Sequence, residues 1–366
     1  MLTAALIAAV ASLFITTPSA RLLSDIDWRT LGTLFMMLCV LEGFKKEDVF
    51  KPFVKLGTRM KRLTSVSLFL VFGVFFTSMF VTNDVSLIIF VPLTIVIFRN
   101  GNKERYILPL IAMENIAAIR GSLLTPFGSP QNLFLYGKSG VNVFRFMFHM
   151  LPLSAMSALL LVLFVFFLYR KDFREELDET SEDDATPARG YRKTVYLALF
   201  ALIVAVIVSR TDLWPYAAAL VALVILITDA KIFMKVDYVL LLTFLCFFVF
   251  SSSVASNEAI ASVLKKAVSG NEYWWSIGLS QIISNVPSTI VLYPFTTNFA
   301  GLIYGADTAG LVTVIGSLAS VINYRIYVRE YPGKGLDFIK TFTVVSLAFF
   351  AIVVVPGYLL SGWSFF

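Results

Sequence analysis

A chain of 366 residues that is 58% hydrophobic and 15% charged is too apolar to be a soluble domain, which is about 45–50% apolar and about 25% charged. The net charge of +6 is not a nucleic-acid footprint, because Lys and Arg collect in particular loops, as they do in membrane proteins. Two cysteines, Cys39 and Cys246, both inside apolar runs, exclude a disulfide framework and a zinc cluster. The apolar residues fall into windows of about 17–25, the length that crosses a bilayer. The chain reads as an all-α polytopic membrane protein with about nine full spans and two helical hairpins.

The first run, Leu2 to Thr17, lacks a basic leader and a small-residue cleavage site, and reads as a retained span. A second span covers Thr30 to Phe44. In the basic stretch KKEDVFKPFVKLGTRMKRL that follows, Val49, Phe50, Phe53, Val54 and Leu56 predict a helix on the membrane surface. From Ser65 to Phe98 the sequence is apolar except at FVTNDVS, Phe80 to Ser86. Lys61 and Arg62 precede this run, and Arg99, Lys103 and Arg105 follow it. Positive charge at both ends and a central break predict a re-entrant hairpin over about 65–98, its tip buried in protein near the midplane.

A third span, Tyr106 to Tyr136, is broken at TPFGSPQN (Thr125–Asn132), and a fourth runs from Phe144 to Tyr169. These close a first repeat, 1–169. Residues 170–193 mix both charge signs and read as a flexible cytoplasmic linker. An unpaired span lies in 194–210, and a second repeat fills 211–366. Within it are spans at Leu213–Thr228 and Tyr238–Ser253, a hairpin at about 274–300, a broken span at Gly310–Tyr327 and a last span at Phe342–Leu360. The basic loops at 45–62, 99–105, 170–193, 231–235 and 325–340 then share the cytoplasmic side. The N-terminus is expected in the cytoplasm and the C-terminus outside.

Three segment pairs recur in order. DWRTLGTLF (Asp27–Phe35) matches DYVLLLTFL (Asp237–Leu245), and TNDVSLIIFVP (Thr82–Pro92) matches SNVPSTIVLYP (Ser284–Pro294). TPFGSPQN matches TVIGSLAS (Thr313–Ser320), placing Thr125, Gly128 and Ser129 on Thr313, Gly316 and Ser317. An odd number of crossings separates equivalent points, so the copies are expected to be inverted. Inverted repeats with interrupted helices meeting at the midplane mark secondary transporters.

The breaks free backbone groups that lipid cannot satisfy. Helix N-termini present N–H donors suited to an anion, and unwound carbonyls present oxygens suited to Na⁺. Thr82, Asn83, Ser86, Ser284, Asn285 and Ser288 at the tips serve either purpose without a fixed charge. With Gln131, Asn132 and Arg120 they form the expected substrate site. The coupling cation, Na⁺ or H⁺, is expected at Asp84, Asn83, Thr125, Gly128, Ser129, Asn285, Thr313, Gly316 and Ser317. Asp84 binds that cation, carries a proton, or caps the second hairpin helix. Arg120 neutralises Asp84 or faces an anion. Glu114 is a gate residue, an interfacial residue or a ligand. Cys39 and Cys246 read as packing, and His149 as incidental. No nucleotide-binding motif, catalytic set or cofactor is expected, so an ion gradient rather than an ATPase subunit drives the protein.

TND…P, NIAAIRGSLLTPFGSPQN and SNVPSTIVLYP resemble the signature segments of the ion transporter superfamily: divalent anion/sodium symporters, citrate transporters and arsenite permeases. The GSPQN segment is similar to the anion-permease and arsenite-permease branch. The resemblance implies a homodimer whose scaffold carries two mobile transport domains working as elevators in a bacterial inner membrane. In the symporters Ser-Asn-Thr tips bind carboxylates and line Na⁺ sites. Thr82-Asn83 and Ser284-Asn285 match the first two positions, while Asp84 and Val286 stand where that pattern has Thr. An anionic tip suits a proton-coupled carrier, a neutral hydroxide such as arsenite, or a cation antiporter.

Overall fold

The computed structural model describes residues 2–15, 20–50, 60–172, 175–177 and 190–363. Among them it is all helical, apart from one isolated bridge between Arg62 and Glu176. The helices are α1 (Leu2–Ile15), α2 (Ala20–Asp25), α3 (Trp28–Lys46), α4 (Leu63–Val81), α5 (Asn83–Asn100) and α6 (Ile107–Ser122). Next come α7 (Pro130–Ser139), α8 (Val143–Leu168), α9 (Tyr191–Ser209), α10 (Trp214–Asp229) and α11 (Tyr238–Ser256). The last six are α12 (Glu258–Val268), α13 (Glu272–Ile283), α14 (Asn285–Leu292), α15 (Phe299–Ala309), α16 (Leu318–Glu330) and α17 (Gly335–Ser361). Much of the expected surface helix (51–59) and of the linker (173–174 and 178–189) lies outside the described residues.

Seven helices among the described residues are long and apolar enough to cross a membrane: α4, α5, α8, α9, α10 with the turn after it, α11 and α17. Two of them, α4 and α5, are the arms of the first hairpin. The sequence break at FVTNDVS predicts short arms, but at 19 and 18 residues each is about 28 Å long, nearly a full hydrocarbon thickness. The arms of the second hairpin, α13 and α14, have 12 and 8 residues.

Each hairpin turns on one residue. Thr82 separates α4 from α5, and Ser284 separates α13 from α14. The arms of each hairpin pack along one another. The open end of the first is fastened to the start of the linker. Leu177 N donates to Lys61 O at 2.9 Å and Leu63 N to Glu175 O at 3.2 Å, while Arg105 pairs with Glu175 at 3.1 Å and with Asp172 at 3.3 Å. Both ends of this hairpin and the end of α8 therefore lie at one end of the bundle. At the opposite end His149, near the start of α8, is hydrogen-bonded through Nε2 to Trp363 O at 3.2 Å, just past α17.

Local geometry recurs at particular positions of the two halves. Asp27 and Asp237 both cap a helix with a side-chain oxygen, each accepting at 2.9 Å from the amide three residues on. Their φ/ψ pairs are −80/80 and −76/79. Ser129 and Ser317, which begin the second half of each interrupted helix, have φ/ψ of −147/152 and −143/140.

The second interrupted helix starts earlier than its sequence suggests. Its first half is α15, which opens at Phe299 with Asn298 as cap, so Gly310–Tyr327 covers only the interruption and α16. The stretch GLIYGADTAG is rich in small and polar residues and carries little apolar signal. Yet α15 is buried from Ala300 to Ala309, as α6 is from Leu110 to Ser122. A helix buried on all sides forms the axis of a bundle. Around α6 pack α4, α5, α8 and α17, and around α15 pack α13, α14 and α17. The second half of each interrupted helix crosses to the other hairpin, α16 onto α5 and α7 onto α14. A separate group, α3 with α9 and α10, meets this core through α7 and α11.

Candidate functional site

The site is built where the two axial helices stop. The last carbonyls of a helix lack intrahelical partners, and both interruptions supply them with a side chain from the following helix. Asn132 Nδ2 donates to Ser122 O at 3.1 Å and to Leu123 O at 3.3 Å, and Ser320 Oγ to Gly310 O at 3.5 Å. Glycine is required at the matched positions Gly128 and Gly316. A Cβ there would sit 2.5 Å from Ser122 O and 2.4 Å from Ala309 O, the carbonyl that ends each first half.

Each interruption is tied to the hairpin of its own half. Thr125 Oγ1 donates to Met79 O, and the Phe80 and Phe127 rings lie 6.3 Å apart. Thr313 Oγ1 donates to Gln281 Oε1 at 2.7 Å, and Gln281 Nε2 donates to Ala309 O at 3.1 Å.

At the tips, Asn83 Oδ1 accepts the Asp84 amide and Asn285 Oδ1 the Val286 amide, both at 3.0 Å. Both bonds use the amide oxygen, and among the described residues neither Nδ2 group makes a hydrogen bond. Ser86 Oγ donates to Thr82 O at 3.0 Å and accepts from Thr77 Oγ1 at 3.0 Å, whereas Ser288 Oγ lies 3.4 Å from Ser276 O. Asp84 lies in the first turn of α5, where the helix dipole favours negative charge, and its buried Oδ1 has no partner.

Arg120 does not meet Asp84. Arg120, 0% exposed, instead reaches across to α15, where Nη2 donates to Thr308 Oγ1 at 3.3 Å, beside Asp307. Gln131 Nε2 donates to Asp307 Oδ1 at 3.2 Å. Asp307 and Thr308 escape the sequence reading because they lie outside the matched segments, in the half-helix assigned to no span. A lone carboxylate among small residues was the available signal.

Buried polar atoms in proteins are nearly always paired, and exceptions call for an explanation. Seven such atoms among the described residues belong to the two interruptions and the turns beside them: Arg120 Nε and Nη1, Ser129 Oγ, Gln131 Oε1, Asn132 Oδ1, Asp307 Oδ2 and Ser317 Oγ. The Arg120–Thr308 and Gln131–Asp307 bonds bring the two interrupted helices together there, with hydrogen-bonding capacity unused.

The sequence profile of a family described as Citrate transporter matches residues 1–301 of the 366. The chain belongs to the Citrate transporter family. Members of this family are transporters, and the matched region takes in both hairpins, the first interruption and the opening of α15. Similar proteins include Inner membrane protein YbiR of Escherichia coli K12, 30% identical, with 82% of this chain and 80% of that protein covered. Uncharacterized transporter MJ0456 of Methanocaldococcus jannaschii is 28% identical, with 82% and 81% covered. Uncharacterized transporter Rv2684 of Mycobacterium tuberculosis is 23% identical, with 90% and 86% covered. Family membership and seven span-length apolar helices make the chain a multi-pass membrane protein of the transporter class.

Proposed function

We propose that the protein is a secondary active transporter of a small anion, an inorganic oxyanion or a carboxylate, driven by a Na⁺ or H⁺ gradient. The observation that carries this reading is the set of unpartnered buried polar atoms where α6 and α15 end. The free Nδ2 groups of Asn83 and Asn285 supply further donors for an anion. The cation takes oxygens from the tips and interruptions, around Thr125, Ser129, Thr313 and Ser317. The matched halves act as inverted repeats, and α3, α9 and α10 form the scaffold of an elevator whose moving part is the core around α6 and α15. The working unit is a homodimer in a bacterial inner membrane, with the C-terminus outside. The position of Trp363, at the bundle end opposite the linker, supports that orientation.

A second reading, Na⁺/H⁺ antiport, is favoured by the unpartnered Oδ1 of Asp84. A thermal-shift screen of the purified full chain with citrate, phosphate or sulfate, with and without Na⁺, separates the two. Stabilisation by an anion, reduced in Asn83→Ala and Asn285→Ala, is the expected result. No response to any anion, together with Na⁺-driven proton release in vesicles that Asp84→Asn abolishes, selects antiport instead.

A further inference from the structure

Arg120 and Asp307 occupy corresponding places. Each stands two residues before the end of the first half of its interrupted helix, and each is 0% exposed. Opposite charges so placed should close into a tight ion pair, yet no contact within 4.0 Å joins them. Arg120 spends one donor on Thr308 Oγ1, and Asp307 spends one oxygen on Gln131 Nε2. Arg120 Nε and Nη1 and Asp307 Oδ2 have no partner. The two groups are nonetheless neighbours, because Arg120 is bonded to the residue after Asp307, and Asp307 to Gln131 just past the break in the helix of Arg120. The arrangement is electrically balanced and hydrogen-bonded only in part, which is costly for a purely structural pair.

Among the described residues no other charged side chain makes an ion pair with either group. On α13 and α15 the titratable neighbours are Tyr273 and Tyr304, whose hydroxyls bond to Val354 O and to His149 of α8, and Glu272, whose Oε1 accepts from Thr296 Oγ1 at 2.7 Å and from Gly270 N at 3.0 Å. Tyr358 of α17 stacks near Tyr273, while Asp337 and Lys340 of α17 line a cavity at its other end. Lys138 of α7 pairs with Asp27 at 3.0 Å, and Tyr293 follows α14 beside Phe134 and Phe299. Among helices around α6, α5 carries Asp84 and Arg99, α8 also carries Arg145, and α16 carries Arg325, Arg329 and Glu330. Arg99 is engaged with Glu330 at 3.3 Å.

An anion entering this site meets Arg120 and the Asp307 carboxylate together. The attraction of the first is cancelled by the repulsion of the second unless Asp307 becomes neutral. We propose that Arg120 and Asp307 form a charge-exchange site, in which a proton adds to the Asp307 carboxylate as the substrate anion takes its place as counter-charge to Arg120. One proton enters with each anion, so a monoanion leaves the buried site neutral and a dianion such as sulfate adds one negative charge instead of two. The inference rests on the anion-transport reading and names H⁺ as an ion carried with the anion.

Binding of citrate, phosphate or sulfate to the purified full chain at pH 5.5 and 8.0, followed by thermal shift, tests this. Sulfate is decisive because its own charge is constant over that range. The wild type is expected to bind at least tenfold more weakly at pH 8.0, and Asp307→Asn to bind equally at both. Asp307→Glu should restore the pH dependence with a displaced midpoint, which a merely structural pair would not do. A wild type that responds equally at both pH values, or an Asp307→Asn variant that keeps the wild-type dependence, overturns the exchange site alone. A wild type that responds to none of the anions at either pH overturns the transport reading and this inference with it. Should Asp307→Asn fail to fold, an unmoved midpoint in Asp307→Glu counts against the proposal.

Discussion

Thr82 and Ser284 hold nearly the same backbone conformation, φ/ψ 75/154 and 73/160, at the turning point of their hairpins. This region belongs almost wholly to glycine, and a side chain held there costs about 1–3 kcal/mol. A β-branched residue is especially unsuited to it. Thr82→Gly and Ser284→Gly should therefore each raise stability by about 1 kcal/mol, while weakening the response to an anion. Thermal midpoints with and without anion check this. Destabilisation by both glycines would show that no strain is stored at the tips.

Gly128 and Gly316 are predicted to tolerate nothing larger. A methyl at either would press on a helix-ending carbonyl at 2.5 or 2.4 Å, and a backbone atom cannot step aside as cheaply as the end of a flexible side chain. Overpacking of this kind costs about 1–3 kcal/mol, so alanine at either position should lower the thermal midpoint and the yield of folded protein. Gly137 and Gly278 are the controls, because a Cβ at either meets nothing within 4 Å. Alanine there should be neutral or stabilising by up to about 1 kcal/mol.

Where two halves share a local motif, the fold was legible in the chain. FVTNDVS and ISNVPST mark the hairpin turns because an Asn follows a hydroxyl residue between apolar runs. TPFGSPQN and TVIGSLAS mark the interruptions because Gly128 and Gly316 must lie against a carbonyl. The lengths on either side were less legible. Apolar sequence continues past the point where a hairpin arm would end, so α4 and α5 read as short, and polar content hid α15. The site was legible one half at a time. Arg120 could be seen, but its counter-charge comes from a segment that neither apolar periodicity nor the matched motifs single out.

A polar seam joins α6 to α16, with Asn115 Nδ2 donating to Ser320 Oγ at 3.0 Å and Asn323 Nδ2 to Ile111 O at 2.9 Å. It fastens the first interrupted helix to the second half of the other. Removing Ser320 Oγ leaves Asn115 Nδ2 buried and unpaired, at about 1–3 kcal/mol, and removing Asn115 leaves Ser320 Oγ only its long bond to Gly310 O. Asn115→Leu and Ser320→Ala should each destabilise, and the double variant should cost less than the sum of the two, with a coupling of about 0.5–1.5 kcal/mol. Strict additivity in denaturation would show that the bond contributes nothing.

Glu114 offers the sharpest separation of structure from transport. It is 0% exposed, Thr94 Oγ1 donates to Oε1, and Oε2 has no partner. Among the described residues it forms no ion pair, and an uncompensated carboxylate in such a place is costly. Glu114→Gln keeps an oxygen for Thr94 and removes the ionisable group, so stability should rise by about 1 kcal/mol or stay unchanged. Glu114→Leu instead strands the Thr94 hydroxyl and should cost about 1–3 kcal/mol. Thermal midpoints rank the two variants, and uptake by each in vesicles supplies the second axis. If Glu114 only packs, uptake follows stability, and the glutamine variant transports at least as well as the wild type. A glutamine variant that is stable yet inactive would instead make Glu114 part of the transport path, about two helical turns along α6 from Arg120.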